Sequence, residues 1–375
     1  MPPRGGGLGL QRWLSPRVAA WLLLLVPVPA YGQDWLFLEG VADGEFWATD
    51  SGSALLTRND GHPALLGRLQ LFGGVVLRPE LQLLVTGELE GGKGGEEGKT
   101  EVSVDQLVLR YLHSSLLVID IGKFPTPVGT FSNRRFSPRN PLIGSPDGFP
   151  VTYPWGVVVG GTSTRLDYRA ALVSLPYTHE DYVPDPSPAP HLVLGGGFTP
   201  LTGLRIGASF TRGPYLGRDL DASLPSGTFW QDYSQQVFAF DGRFSRGYFE
   251  FYGELALSRY EVPTRSETLD GIAYYGEFKF TWWPRFFTAV RLERNQYASI
   301  VPVTGGPWDA RLVNLYDGEV GVGYRLWPRT LVKLSYRWDH WPGDANQPAP
   351  SPDGHALALQ LSQRVDVTSI WARRQ

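Results

Sequence analysis

Residues 330–339 read Thr-Leu-Val-Lys-Leu-Ser-Tyr-Arg-Trp-Asp, and their side chains alternate between apolar and polar. Successive side chains of an extended strand point to opposite faces, so Leu334 and Tyr336 share an apolar face. Lys333 and Arg337 lie on the opposite, charged face. A soluble sandwich would bury the apolar face and expose the charged one. A membrane barrel would turn the apolar face to lipid and line an aqueous interior with the charges.

The same alternation recurs along the chain and predicts sixteen strands between residues 35 and 366. The clearest further examples are 81–90, 204–211, 247–258, 272–283 and 286–295. An unpaired charge buried in a sandwich interior would cost several kcal/mol, so we expect the polar face to be wet. The other face carries too many large aromatic side chains to be left to water, which leaves a protein core or lipid to cover it.

The connections between the predicted strands alternate between short and long. Short turns include Arg78-Pro79-Glu80 and two Trp-Pro-Arg turns, 283–285 and 327–329, whereas the long connections are polar and rich in glycine and proline. Short turns at one end and long loops at the other are typical of outer-membrane barrels, and tryptophan favours the membrane interface. The sequence therefore predicts an all-β transmembrane antiparallel β-barrel of about sixteen strands, with long external loops and short periplasmic turns. A soluble or periplasmic β-sandwich is the alternative fold.

The beginning of the chain, 1–32, predicts a signal peptide. Three arginines accompany an apolar run over 18–29, which is too short to span a bilayer comfortably, and Ala30-Tyr31-Gly32 places small residues where signal peptidase reads them. Cleavage after Gly32 would leave Gln33 first, and the predicted barrel domain covers 33–375. An uncleaved anchor is the alternative.

Composition limits the remaining possibilities. The chain has no cysteine, so an exported protein of this sequence cannot use disulfides, and any metal site would need histidine or carboxylate ligands. A formal net charge of −3 argues against a nucleic-acid partner. No phosphate-binding loop, zinc pair or dinucleotide fingerprint is present, and we expect neither a cofactor nor a bound metal.

The longest predicted connection, 124–154, is too apolar to be disordered. It contains several phenylalanines together with prolines that stiffen it. A structured loop of this length is usually functional. The lumen of a sixteen-stranded barrel is wide enough to receive it, and folding inward would narrow the channel.

Residues 122–129 read Gly-Lys-Phe-Pro-Thr-Pro-Val-Gly, which is similar to the Gly-Lys/Gln-Phe-x-x-Pro-x-Gly motif of phosphate-selective porins. In that family the motif leads into the constriction loop. The strand pattern of the whole chain also resembles that of sixteen-stranded bacterial outer-membrane porins. The resemblance implies that basic side chains at the constriction attract anions. By position, the candidates here are Lys123, Arg134, Arg135 and Arg139.

The wall of the predicted lumen carries both signs of charge. The lumen-facing candidates are Glu277, Lys279, Arg291, Glu293, Lys333 and Arg337. The wall is close to balanced, whereas loop 124–154 has an excess of positive charge, so we expect a preference for anionic solutes. In the alternative, the loop arginines pair with wall carboxylates and only hold the loop in place.

We therefore expect an outer-membrane porin of a Gram-negative bacterium, through which small polar and anionic solutes diffuse passively. Outer-membrane lipid would surround it, and the resemblance implies a homotrimer, because porins of this architecture usually associate through their outer walls. The alternative function is a non-channel barrel with a plugged lumen that acts as a binding or structural protein.

A hydrolase is the remaining possibility, because some outer-membrane barrels are enzymes. Asp339 and His340 lie at the predicted outer end of the fifteenth strand, where barrel proteases carry an Asp-His pair. Catalysis needs a further partner within hydrogen-bond reach, and no spacing in the sequence supplies one. We expect no enzymatic activity.

Overall fold

The protein is described here by a computed structural model that covers residues 35–93, 100–177, 186–304, 306–343 and 348–366. The predicted signal peptide, 1–32, lies outside the described residues. Within the described part of the chain, no helix is both long and apolar enough to cross a membrane.

Sixteen strands form one closed antiparallel barrel in the described residues, and the predicted fold class is confirmed. Each strand pairs with its neighbours in sequence, and β16 pairs with β1 to close the ring. The strands are β1 Leu36–Thr49, β2 Ala64–Arg78, β3 Leu81–Gly92, β4 Glu101–Ser114, β5 Leu117–Lys123, β6 Trp155–Thr162, β7 Leu166–Val173, β8 His191–Leu201, β9 Leu204–Pro214, β10 Ser234–Arg246, β11 Phe249–Tyr260, β12 Leu269–Trp283, β13 Phe286–Val301, β14 Asp309–Trp327, β15 Thr330–His340 and β16 Gly354–Asp366.

The two ends of the barrel differ in how the strands are connected. At one end, here called the turn end, the links are two or three residues long. At the other, the loop end, every link is longer, and the longest runs over 124–154. Both Trp-Pro-Arg segments form links at the turn end. The strand pairing shifts register just before Trp283 and Trp327, because Trp282 and Leu326 are extra residues without a partner in the pairing.

The two faces of the wall follow the alternation of the sequence. Phe251 lies directly opposite Phe278 on neighbouring strands, and both are exposed on the outer face of the barrel. Residues next to such outward-facing side chains point the other way: Glu277, before Phe278, is fully buried, and Lys333, before the exposed Leu334, is buried on the same inner face. Oily side chains therefore form the outside of the wall, and charged side chains form the inside.

The sequence pattern predicts strands over 285–296 and 312–326, whereas β13 continues to Val301 and β14 already begins at Asp309. The sequence of these added residues does not alternate between apolar and polar, because Ile300 and Ala310 pack into an apolar cluster with Trp308 at the loop end. Trp230 and Tyr215 from another long connection belong to the same cluster. Packing between connections, and not the lumen or lipid, decides the side-chain pattern there.

The closure of the ring can be tested with a disulfide, because the chain contains no cysteine of its own. Thr49 lies directly opposite Ala356 in the pairing of β1 with β16. The double substitution Thr49→Cys and Ala356→Cys should form a disulfide on mild oxidation, since opposite residues in such a ladder lie about 5 Å apart between Cα atoms. Electrophoretic mobility with and without reductant reports the bond.

The matched control combines Thr49→Cys with Ser362→Cys. Ser362 lies on the same strand and face, but about 20 Å further along it. Equal yields of cross-link in the two pairs, or none in the first, would contradict the observed register.

Candidate functional site in the barrel lumen

Loop 124–154 lies inside the barrel. The Ser137 hydroxyl donates a hydrogen bond to Asp43 on β1 at 2.7 Å, and the Gly129 amide donates one to the Ser209 hydroxyl on β9 at 3.1 Å. Strands β1 and β9 are on opposite sides of the ring. One segment can reach both walls only from the lumen, so the predicted inward course of this loop agrees with its contacts.

Two glycines shape the entry of the chain into the lumen. Gly122 and Gly129 have φ values of +138° and +65°, a region of backbone conformation that favours glycine. A Cβ atom on Gly122 would collide with the Leu107 carbonyl oxygen, and one on Gly129 would collide with the carboxylate of Glu254. Both ends of the motif read in the sequence are therefore needed for the turn inward and for close packing against the wall.

The first limb and the end of the loop dock through apolar side chains. Phe149 packs edge-to-face on Tyr275 of β12, with ring centroids 4.9 Å apart. The other members of this cluster are Val108, Phe124, Val128, Phe131, Ala171, Val173, Tyr177, Val193, Val237, Ala239 and Ala256. Most of the wall residues among them are small, and they leave room for the aromatic rings of the loop. This part of the inner face is apolar and dry, in contrast to the expectation of a wet inner face.

The middle of the loop docks on a charged part of the wall. Arg291 donates to Glu277 at 2.9 Å and to the Gly144 carbonyl at 3.0 Å. Glu319 accepts from the amides of Ile143, at 2.9 Å, and Gly144, at 3.1 Å. Wall charges thus replace the water that would otherwise solvate the loop backbone, and these side chains are buried because the loop covers them.

Lys333 holds the same part of the loop from β15. Its ammonium group donates to the carbonyls of Ser137, at 3.1 Å, Asn140, at 3.1 Å, and Leu142, at 2.7 Å. An ammonium group has three donors, and here each reaches a backbone carbonyl. Lys333 is 1% exposed, so a charge without these contacts would be costly at this position.

Two of the predicted constriction residues are neutralised by wall carboxylates. Arg134 forms an ion pair with Glu277, and its guanidinium carbon lies 3.3 Å from the ring centroid of Tyr252. Arg135 forms ion pairs with Glu88 and Asp105. This is the arrangement expected in the alternative reading, in which the loop arginines hold the loop in place.

The other two predicted constriction residues differ. Arg139 is exposed and donates to the Asn133 carbonyl at 3.1 Å, and no carboxylate contacts it in the described part of the chain. Lys123 does not lie in the lumen, which corrects the expectation. It pairs with Leu107 and with the exposed Trp155, and residues directly opposite each other share a face, so Lys123 lies on the outer face. The next residue, Phe124, points inward, as expected when successive side chains point to opposite faces.

The lumen-facing candidates lie on the inner face. Arg337 contacts Asp147 of the loop, and Glu293 accepts from the Asp147 amide at 2.9 Å. Lys279 pairs with Glu250 at 2.6 Å outside the area covered by the loop. Further cross-strand networks are Glu45–Arg68–Glu88–Glu90, Arg110–Asp120 and Asp167–Arg205–Asp241. Mixed signs on the wall therefore lead to pairing between strands in these networks.

Asp339 and His340 do not act on one another in this structure. Asp339 is buried on the inner face and accepts from the Ser53 hydroxyl at 2.7 Å. His340 contacts Asp353 at 2.7 Å on the other side of the strand. The hydrogen bonds from the His340 ring and from the Trp341 amide lower the pKa of Asp353 below its ordinary value. Adjacent strand residues face apart, so the dipeptide does not form a catalytic pair.

Replacing Lys333 by methionine should weaken the protein. The change leaves three buried carbonyls of the loop without a donor, and we expect a loss of about 3 kcal/mol in the free energy of unfolding. Denaturant unfolding in detergent micelles measures it. Lys279→Met is the control, because the Lys279 ammonium group pairs with one carboxylate, lies over the Phe287 ring and is partly exposed to water; its effect should stay below about 1 kcal/mol. Equal losses would contradict the role of Lys333 as an anchor.

Comparisons with known proteins identify the fold and not a family. No protein-family model matches the chain, and no curated protein matches it. Solved structures do. The anion-selective porin from Comamonas acidovorans superposes with a TM-score of 0.61 at 9% identity, covering 88% of this chain and 99% of that chain.

Two further structures show the same similarity. OmpF of Salmonella typhi, solved in complex with daunomycin, has a TM-score of 0.59 at 11% identity and covers 88% of this chain and 97% of its own. The trimer form of OmpT, an outer membrane protein of Vibrio cholerae, has a TM-score of 0.56 at 11% identity and covers 88% of this chain and 99% of its own. This chain thus has a porin-like sixteen-stranded barrel.

Proposed function

We propose that this protein is an outer-membrane channel through which small polar solutes diffuse passively. The proposal is carried by one observation: charged side chains on the inner face remain accessible to water beside the loop. The side chains of Arg110 and Lys279 are 33% and 23% exposed, whereas those of Glu277 and Arg291 beneath the loop are at most 1% exposed. Both exposed groups lie four residues from the turn end of their strands, so water reaches at least that part of the lumen, which we take as one section of the path.

The surroundings of such a channel follow from the outer face. Its exposed leucine, valine and aromatic side chains form a surface that lipid would cover at less cost than water. In this proposal the long links are external, the short turns are periplasmic, and the signal peptide directs export to the bacterial outer membrane. A homotrimer also belongs to the proposal, supported by the trimer form described for Vibrio cholerae OmpT.

Conductance of the purified protein in a planar lipid bilayer tests the channel. We expect discrete current steps that persist without added ligand, because in this proposal the hydrated path bypasses the loop. Heat-denatured protein from the same preparation is the control. A correctly folded barrel that inserts into lipid without conducting would instead support the alternative function, a plugged barrel that acts as a binding or structural protein. A protein that stays in solution without detergent would overturn both functions.

Within this function we propose a modest preference for anions, carried by Arg139. It is the predicted constriction residue that is both exposed and without a carboxylate contact in the described residues. Arg134 and Arg135 contribute little to such a preference because wall carboxylates cancel their charge at short range.

Reversal potentials in a salt gradient test this assignment. Arg139→Ala should lower the anion-to-cation permeability ratio by roughly twofold, the effect of one partly screened charge at several ångströms. The charge-neutral double substitution Arg135→Ala with Asp105→Asn should leave the ratio nearly unchanged but increase open-channel noise, because it removes an ion pair that holds the loop. A large loss of anion preference in this double variant, with none for Arg139→Ala, would reverse the assignment.

A further inference from the structure

Two neighbouring rows of inner-face residues on β12–β15 differ in their charges: signs alternate in one row, and all charges are negative in the other. In the first row, Glu277, Arg291, Glu319 and Arg337 lie directly opposite one another in turn. Negative and positive charges alternate along it, so every charge in the row has an opposite charge on at least one adjoining strand. Such cross-strand pairs stabilise a sheet.

The next row towards the loop end breaks this rule. Glu293 lies directly opposite Asp317, and Asp317 lies directly opposite Asp339. All three carboxylates are buried, with residue exposures of 6%, 4% and 2%. Like charges directly opposite one another destabilise a sheet, and burial makes the repulsion stronger. Asp147 of loop 124–154 adds a fourth carboxylate to the same place.

The cations in reach do not balance this group. Arg337 pairs with Asp147, but its nearest approaches to Glu293 and Asp317 are both 3.8 Å, too long for hydrogen bonds. Asp317 stands out because neither of its oxygens has a hydrogen-bond partner in the described part of the chain, although its side chain is only 1% exposed. A buried carboxylate in this condition needs either a further positive ligand or a proton shared with a neighbouring carboxylate.

We propose that Asp147, Glu293 and Asp317 bind one divalent cation, with Ca²⁺ the ion that fits best. One oxygen atom from each of the three lies within 4.8 Å of the others. Oxygens bound to one Ca²⁺ at 2.3–2.6 Å are at most about 5 Å apart, so the ion fits between them once the Arg337 guanidinium, one nitrogen of which lies within 4 Å of all three carboxylates, moves aside. Calcium tolerates irregular oxygen geometry, whereas Mg²⁺ demands a near-ideal octahedron.

The site would join the return limb of the loop to two strands of the wall. Asp147 belongs to the loop, Glu293 to β13 and Asp317 to β14. The ion would convert a repulsive contact into a cross-link inside the lumen. Sequence reasoning predicted no metal site because the three ligands are far apart in the chain and none belongs to a recognisable ligand motif.

Binding of Ca²⁺ to the full barrel in detergent micelles tests the proposal. Terbium can serve as the luminescent probe, displaced by Ca²⁺, because the Trp341 ring nitrogen donates to Asp339 at 3.2 Å and places an indole beside the site. We expect saturable binding of one ion, and Asp317→Asn should weaken it at least about tenfold, since the number of charged ligands sets the affinity. Asp147→Asn, a loop substitution outside the strands, should weaken it similarly.

Glu250→Gln is the matched control, since Glu250 is a wall carboxylate with its own cation, Lys279. It should bind Ca²⁺ as the unsubstituted protein does. Thermal unfolding gives a second readout. With EDTA, Asp317→Asn should unfold at a higher temperature than the unsubstituted protein, because it removes repulsion; with Ca²⁺ the order should reverse.

Three results would overturn the proposal. The first is the absence of saturable binding at millimolar Ca²⁺. The second is an equal loss of binding in Glu250→Gln. The third is a stability that ignores Ca²⁺ but falls as the pH rises, as expected if Glu293 and Asp317 share a proton in place of a metal.

Discussion

The closure of the hydrogen-bonded ladder between β1 and β16 is the constraint on which the rest of this structure depends. An exposed sheet edge presents unpaired N–H and C=O groups, and lipid offers them no partner. Once the ring is closed, every strand has two neighbours, and the alternation of side chains alone separates an oily outside from a charged inside. The same closure brings distant parts of the chain to face one another across the lumen.

The charged inner wall then serves a second purpose, as the docking surface for loop 124–154. A folded loop has backbone groups that need partners, and the part of the wall covered by the loop leaves no room for water to supply them. Arg291, Glu319 and Lys333 supply them from the wall. Apolar rings fill the places where the wall carries alanine and valine. Charge on the wall is thus divided between holding the loop and, in our proposal, lining a hydrated path.

The sequence was sufficient for the barrel because its signal is repeated in every strand. Alternation, short turns and the apolar composition of the longest connection can all be read from residues that are close together in the sequence. The predicted ends were least accurate in β13 and β14, where residues such as Ile300 pack against other connections and lose the alternation. Local pattern cannot report such contacts.

The site was harder to predict because its charges depend on ion pairs between residues that are far apart in the sequence. A run of arginines in a loop indicates an anion constriction, but Glu277 and Asp105, which neutralise Arg134 and Arg135, lie on far strands. The position of Lys123 in a motif predicted that it points inward, but its pairing with Leu107 places it on the outer face. The row of Glu293, Asp317 and Asp339 exists only in the register of three strands, which composition does not reveal.

The long reach of the loop contacts has a kinetic consequence. Lys333 and Leu142 are 191 positions apart in the chain, so the Lys333 ammonium group can reach the loop carbonyls only after most of the strands have paired. Contacts between such distant positions form slowly, because a large chain entropy must be lost before they are made. We therefore expect loop 124–154 to become ordered late in folding, after the strands that carry its anchoring side chains have paired.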